Sequence, residues 1–387
     1  MILYRTCHGD KMKFLFLCLL FVFTVFLFLP QSCCHGEPAK RLAAALQNNN
    51  NMPENSVIVD IYHRKALYVT VHFNQLPPNG RYQIKPLIHL IENNKQQEPI
   101  FLHCYLPGGN LTPFLDIPNA YLRLVKIGNT PISFDSYYVP RVQKCIHFNG
   151  FYVDNWRMDE VMKIPDTLKI GNLDIRLQNE PFDWTLLKRF SALSALRIRN
   201  ASGFTNASAI DRVTAALTLD NCRDLQFPPH LDIFLLSLEK CRMPSGLFEK
   251  LNAEKLYSLS FSACPDLSLP DLSNFRSLRS IEFQDCDTLK DLNAFRSLQL
   301  SSITIFQCRN LKDISAVKAM GRINTVKFYN TGLTDWNAFR GCRIFYCDVY
   351  GDLTRVKVVP EAVRQIENLH IGTMTYHYGI LKPQNNK

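Results

Sequence analysis

The chain has 387 residues, 47% of them hydrophobic and 20% charged, which excludes a disordered or collagen-like polymer. Its 44 basic and 34 acidic residues leave a net charge of +10 with no run of five or six like charges, a diffuse bias that argues against a nucleic-acid binder. The 13 cysteines are too few for a disulfide scaffold of this size, and an odd number cannot all pair within one chain.

The first element is apolar. Residues 14–29 read FLFLCLLFVFTVFLFL without a charge, after Arg5, Lys11 and Lys13 and before Pro30. A spanning helix needs roughly 20 apolar residues, and a signal-peptide core about 7 to 15. The segment fits a cleaved export signal over residues 1–36, with Ser32, Cys34 and Gly36 as small residues near the cut. It also fits an uncleaved anchor that holds the chain to a membrane through residues 14–29. The first reading makes the protein secreted, the second a membrane-anchored surface protein; both place the remainder outside the cytosol. Cys33, Cys34 and His35 form the one dense cluster of soft ligands, but no CxxC partner or second His pair accompanies them, so no metal or cofactor site is expected.

Residues 37–56, with four asparagines from Asn48 to Asn51 ahead of Pro53, read as a polar linker. Residues 57–118 contain alternating stretches such as VIVDI from Val57 and YVTVHF from Tyr68 without a clear repeat phase, and are expected to form an N-terminal cap or degenerate repeats. The glycine pair in LPGGN from Leu106 lacks the lysine and helix of a phosphate loop and reads as a turn.

A repeat fills residues 119–375. Its pattern is LxxLxLxxC: Leu256, Leu259 and Phe261 lead to Cys264; Leu278, Ile281 and Phe283 to Cys286; Leu300, Ile303 and Ile305 to Cys308. Upstream copies reach Cys222 and Cys241, and downstream ones reach Thr331 and Asp352. From Leu217 through Leu236, Leu259, Ile281, Ile303, Val326 and Cys347 to Leu369 the steps are 19, 23, 22, 22, 23, 21 and 22 residues. Weaker copies are read at Leu122 with Leu124, Ile146 with Phe148, Leu168 with Ile170, and Leu196 with Ile198. Between strands a second motif recurs, DLSNFRSL from Asp271, DLNAFRSL from Asp291, DISAVKAM from Asp313 and DWNAFRGC from Asp335. Its apolar second and fifth positions share one face of a helical turn, and the short span favours a 3₁₀ or one-turn helix. A strand and a turn that cannot bury their apolar faces alone are expected to stack as a solenoid with one continuous core. Residues 376–387 read as a polar tail.

On these residues the chain resembles the leucine-rich repeat family, with an internalin-like 22-residue spacing carried by LKDISAV from Leu311, and with Cys where that class usually has Asn. The resemblance implies an α/β solenoid, a leucine-rich repeat horseshoe with a parallel concave sheet and short 3₁₀ or helical convex turns.

The ninth-position cysteines are expected to be buried reduced thiols. Neighbouring strands lie about 4.8 Å apart, which permits a bridge between rungs by distance but not readily by side-chain direction. Cys342 and Cys347 fall on inward positions, and Cys104 and Cys145 are the first candidates for pairing or reactivity. No P-loop, GxGxxG or GxSxG is present and the ten histidines are scattered, His147 and His370 among them on expected outward strand positions, so no enzymatic activity is expected.

Strand alternation turns the third, fifth and seventh repeat positions outward. The fifth position then runs from Arg123, His147, Lys169 and Arg197 to Glu282, Thr304, Lys327 and Asp348, and the seventh from Arg199 to Gln284, Phe306, Tyr329 and Tyr350. Glu282, Gln284, Phe306, Lys327, Tyr329, Tyr346 and Tyr350 form the candidate protein-binding patch, because aromatics beside charges characterise interface hot spots. Arg123, Lys169, Arg197 and Arg199 are the candidate site for an anionic glycan. Sequons stand at Asn110, Asn200 and Asn206. The chain therefore reads as an exported, non-catalytic repeat protein that binds another macromolecule, or as a membrane-anchored adhesion or structural protein. The N-terminal residue of the mature protein separates the two: a start between Cys33 and Glu37 indicates release, an intact Met1 or Met12 indicates an anchor.

Overall fold

The computed structural model describes residues 37–381 except 64–65, 74–80, 94–99, 118–120, 136–146, 149, 334–335, 352–360, 372–373 and 378–379. The apolar segment at residues 14–29, residues 33–35, Cys145, Ile146, Asp335 and the chain beyond residue 381 lie outside the described residues.

One sheet of 17 strands organises the chain. In order these are β1 (Val57–His63), β2 (Leu67–Phe73), β3 (Ile100–Leu106), β4 (Tyr121–Lys126), β5 (Gly150–Trp156), β6 (Asn172–Leu177), β7 (Ala195–Arg199), β8 (Ala216–Asp220) and β9 (Leu235–Glu239). They continue as β10 (Ser258–Ser262), β11 (Ser280–Gln284), β12 (Ser302–Phe306), β13 (Arg322–Tyr329), β14 (Arg343–Tyr350), β15 (Asn368–Ile371), β16 (Met374–His377) and β17 (Ile380–Leu381). From β2 to β15 each strand pairs in parallel with the next in sequence. Between strands the chain must therefore return to the same end of the sheet, one coil per strand. The outcome is an elongated, repeat-like α/β arrangement compatible with a repeat solenoid.

Register follows from the apolar pattern. Leu259, Ile281, Ile303, Val326, Cys347 and Leu369 align across β10 to β15, and Phe261, Phe283, Ile305, Phe328, Val349 and Ile371 form the second inward row. All are buried. A one-residue slip would turn both rows to solvent, at roughly 1.5–3 kcal/mol for each large side chain exposed.

The turn after each strand has a fixed backbone. Asn200, Asn221, Lys240, Ala263, Asp285, Gln307 and Asn330, each immediately following its strand, have φ between 50° and 59°, and Gly351 has φ 116°. This left-handed residue swings its N–H onto the next coil: Asn221 donates to the Glu239 carbonyl at 2.8 Å, Ala263 to Gln284 at 2.8 Å, and Asn330 to Tyr350 at 2.8 Å. The ladder thus runs one residue past the sheet. The returning segments then begin on an aspartate, as Asp271, Asp291 and Asp313 accept the N–H two residues on at 3.0, 2.9 and 2.8 Å. Buried Leu272 with Phe275, Leu292 with Phe295, and Ile314 with Val317 fill the space behind the sheet. Short 3₁₀ turns span Asn293–Phe295, Ser315–Met320 and Trp336–Phe339, as the motif spacing leads one to expect.

Three regions differ from the sequence expectation. Residues 37–49 are not linker but a helix, α1 (Glu37–Asn49), which buries Ala39, Leu42 and Leu46 on β1 and on α2 (Lys85–Glu92). The i, i+3, i+7 spacing of those three residues outweighs the asparagines behind them. The cap consists of α1, α2 and the antiparallel pair β1–β2, and parallel stacking already begins at β2. At the far end β16 and β17 close the stack by antiparallel pairing, so residues expected in the polar tail contribute strand. Finally, residues 147–148 and 168–170 do not enter the main sheet. His147–Phe148 and Lys169–Ile170 form a separate two-stranded ladder, and the coils are carried by Phe151 with Val153 and Leu173 with Ile175.

A left-handed non-glycine residue costs about 1–2 kcal/mol, offset in part by the extra unfolded-state entropy of glycine. Ala263→Gly, at φ 51°, is therefore expected to raise stability by about 0.5–1 kcal/mol, seen as a higher urea midpoint with unchanged slope. Ser260→Gly, inside β10, is expected to lower it.

Candidate functional site

The outward face of the sheet divides in two. On the early strands, fifth-position residues align as His103, Arg123, Tyr152, Asp174 and Arg197 across β3 to β7, and seventh-position residues include Asp154, Arg176, Arg199 and Asp220. These charges are paired. Arg123 meets Asp154 at 2.8 Å, Arg176 meets Asp154 at 3.7 Å, and Arg197 lies between Asp220 at 3.3 Å and Glu239 at 3.6 Å. Arg199 makes a two-point contact with Asp174, including Nε to Oδ1 at 3.0 Å. Arg123 and Arg199 both lie against the Tyr152 ring, at 4.4 and 4.8 Å from its centroid, and Tyr152 is fully buried.

Burial pushes the Asp174 carboxyl up and the Arg199 guanidinium pulls it down; with two hydrogen bonds between them the ionised pair is the state this geometry supports. Four cations thus face four carboxylates, Asp154, Asp174, Asp220 and Glu239. Three guanidinium Nε atoms, those of Arg123, Arg176 and Arg197, are nevertheless buried without an acceptor. Lys169 is exposed on its separate ladder and does not join Arg123, Arg197 and Arg199.

The late strands carry the aromatic patch. Row five continues as Glu282, Thr304, Lys327, Asp348 and His370, and row seven as Gln284, Phe306, Tyr329 and Tyr350. Phe306 and Tyr329 are ring neighbours at 5.9 Å, Tyr346 lies 5.0 Å from His370, and Tyr350 is 56% exposed. Tyr329 is not open as the alternation alone suggests: it is buried, with its hydroxyl 2.5 Å from Asp348. Burial, reinforced by Asp348, pushes the Tyr346 phenol up to about 12. Glu282 is half-buried, and burial raises its carboxyl above the usual range while Lys327 opposes the shift. The structure therefore brings all seven candidate residues onto one stretch of face, β11 to β14.

Sequence reasoning missed Tyr152, Asp154, Asp174 and Arg176, because it placed the coil at residues 146–148 and 168–170. Both the rejected and the chosen segments alternate, and only the FYV and LDI triplets at Phe151 and Leu173 mark the register that the main sheet uses.

The remaining candidates are placed as follows. Asn110 Nδ2 donates to Asp135 at 2.7 Å, Asn206 Nδ2 donates to Asp183 at 2.9 Å, and Asn200 accepts from Asn221 at 2.9 Å. All eight described cysteines are unbridged and buried. Cys104 lies in the core, where burial pushes its thiol up, so it is not a reactive position. Among the described residues no group of three or more His, Cys, Asp and Glu is arranged to hold a metal ion, and no helix is long and apolar enough to cross a membrane. No protein-family model matches this chain, and no curated protein matches it.

His103, beside Arg123 on the neighbouring strand, has its pKa lowered from 6.5 to about 4 by burial and by that guanidinium. Between these values the unfolded chain binds a proton that the folded one refuses, so stability rises with pH across the window and is lost on acidification. Replacing it, His103→Gln, is expected to flatten the dependence between pH 6.5 and 4 by on the order of 1–2 kcal/mol, measured by urea unfolding at a series of pH values.

Proposed function

We propose that this is an exported leucine-rich repeat protein without catalytic activity, which binds a protein partner through the outward face of β11 to β14. The leucine-rich repeat assignment rests on the LxxLxLxxC pattern together with one parallel strand per coil. Export rests on the apolar segment at residues 14–29.

One observation carries the binding reading. Phe306 on β12 and Tyr346 and Tyr350 on β14 stand on either side of β13, among Lys327, Asp348 and Glu282, on a backbone fixed by continuous pairing on both sides. Aromatic area on a rigid backbone among charges is what a hot spot requires, since an aromatic side chain brings a large contact area with only two χ angles to order on docking. Anionic-glycan binding on the early strands is favoured by the three orphan Nε atoms, but the four carboxylates there cancel the charge that would attract a polyanion.

The test leaves Tyr329 in place, because it is buried and bonded to Asp348. Phe306→Ala with Tyr350→Ala is expected to weaken partner binding by 100-fold or more, on the order of 3 kcal/mol, with the unfolding midpoint moved little. Extracellular proteins captured by the wild-type chain and lost with this variant identify the partner. Equal capture by the two would refute the patch.

A further inference from the structure

The returning turns hold a second charged surface. Each turn buries its Phe or Val and follows it with a cation: Phe275 with Arg276, Phe295 with Arg296, Val317 with Lys318, Phe339 with Arg340 and Val363 with Arg364. All five cations are exposed. Successive coils stack in register, so the five stand one above another in a column, about 4.8 Å apart by the strand spacing.

Among the described residues none of the five forms an ion pair, in contrast with the arginines of the early strands. The regular carboxylates, Asp271, Asp291 and Asp313, begin the turns and are engaged with the backbone N–H two residues on; Asp313 also feels the Arg296 charge, without forming an ion pair with it. Where the turns re-enter the sheet, Arg279, Arg322 and Arg343 add three more cations, and of these only Arg322 meets a carboxylate, Glu367 at 3.6 Å. The residues after the column cations are Ser277, Ser297, Ala319, Gly341 and Gln365, none large enough to screen it.

We infer that this column is a docking surface for a sulfated polysaccharide lying along the stacking axis. A line of cations one residue wide, repeated at about the length of a sugar unit, matches a linear polyanion, and arginine binds sulfate-type oxyanions through two parallel hydrogen bonds. Phe275, Phe295 and Phe339 of these turns are buried and so offer no platform on which bases could stack. No exposed apolar side chain stands in the column to insert into a bilayer. The inference rests on the export proposed above from the apolar segment at residues 14–29, which would bring the chain to the side of the membrane where sulfated glycans occur.

The experiment uses the purified full chain on immobilised heparin. The wild type is expected to be retained at physiological salt and eluted by a salt gradient. Arg276→Ser with Arg296→Ser and Arg340→Ser should elute at clearly lower salt, with the log–log salt dependence of affinity shallower by about two to three. Arg242→Ser with Lys290→Ser and Arg309→Ser, which removes three exposed cations outside the column, should elute close to the wild type. Arg→Lys at the three column positions should elute between the wild type and the serine variant, keeping the charge while losing the paired hydrogen bonds. Should the triple serine variant fail to fold, the single changes Arg276→Ser and Arg340→Ser carry the same test, each lowering the elution salt. Equal elution of the column and control variants overturns the inference. So does equal retention on desulfated heparin, or binding to single-stranded DNA or anionic phosphatidylserine vesicles at least as tight as to heparin.

Discussion

The left-handed residue that follows each strand is the constraint on which the rest of the molecule depends. A parallel strand delivers the chain to one end of the sheet, and the next strand must start from the other. The turn therefore has to leave the sheet at the same residue in every coil. At Asn200, Asn221, Lys240, Ala263, Asp285, Gln307 and Asn330 a positive φ supplies the bend, and the N–H it swings outward finds the next coil's carbonyl. A buried orphan N–H at each bend would cost about 1–3 kcal/mol. The local strain is tolerated because each coil's hydrogen bond depends on its neighbour having turned in the same way.

That lockstep explains why chemistry is arranged in rows. Once each coil is in register with the next, residues separated by some 22 positions become nearest neighbours, and a sequence can write a line of like or alternating side chains across the surface. On the early strands the lines alternate in sign, so arginines and carboxylates close on one another around Tyr152. Buried pairs of this kind contribute little net stability, since desolvation offsets their attraction, but removing one partner leaves a stranded charge. The network thus favours one register over its neighbours. On the late strands the rows carry Phe306, Tyr346 and Tyr350, and on the turns they carry cations that form no ion pair among the described residues.

Much of this was legible from the residues. The apolar fourth and sixth positions locate β8 to β15, the DLxxF motif locates the 3₁₀ turns, and alternation alone puts Glu282, Lys327 and Tyr350 on one face. The left-handed position was written there too: Asn200, Asn221, Asp285, Asn330 and Gly351 are residue types that tolerate positive φ, all at the eighth position. Lys240, Ala263 and Gln307 interrupt the signal. Residues 146–175 were ambiguous for a different reason. Two alternating apolar pairs lie five residues apart, both form parallel ladders, and only pairing with β4 and β7 decides which belongs to the main sheet. Tyr329 shows the limit of alternation, which assigns a side but not the cover that a neighbour such as Asp348 provides.

The ninth-position cysteines follow from the same bend. Directly after the left-handed residue the chain dives inward, and whatever occupies that place must fill a small apolar space while meeting carbonyls at the end of the strands. Cys222 reaches the carbonyls of Ile198 and Asp220 at 3.4 Å, Cys264 those of Leu238 and Ser262 at 3.4 and 3.5 Å, and Cys286 those of Phe261 and Gln284 at 3.6 and 3.3 Å. A thiol is a weak donor, so these contacts contribute modestly, but it fits the space without carrying further polar atoms that would need partners. Burial pushes the Cys264 thiol up to about 12, which keeps it protonated and unreactive near neutral pH. All the described thiols are unbridged and held apart from oxidant by the core, and besides reaching backbone oxygen they meet one another in pairs, Cys222 with Cys241 and Cys286 with Cys308. The Cys222 N–H does reach Cys241 Sγ, at 3.4 Å, which shows how near the rungs are. A disulfide needs its two Cβ atoms turned toward each other as well as close, and side chains standing parallel on neighbouring rungs meet that condition poorly, so nearness alone does not make this file a row of disulfides.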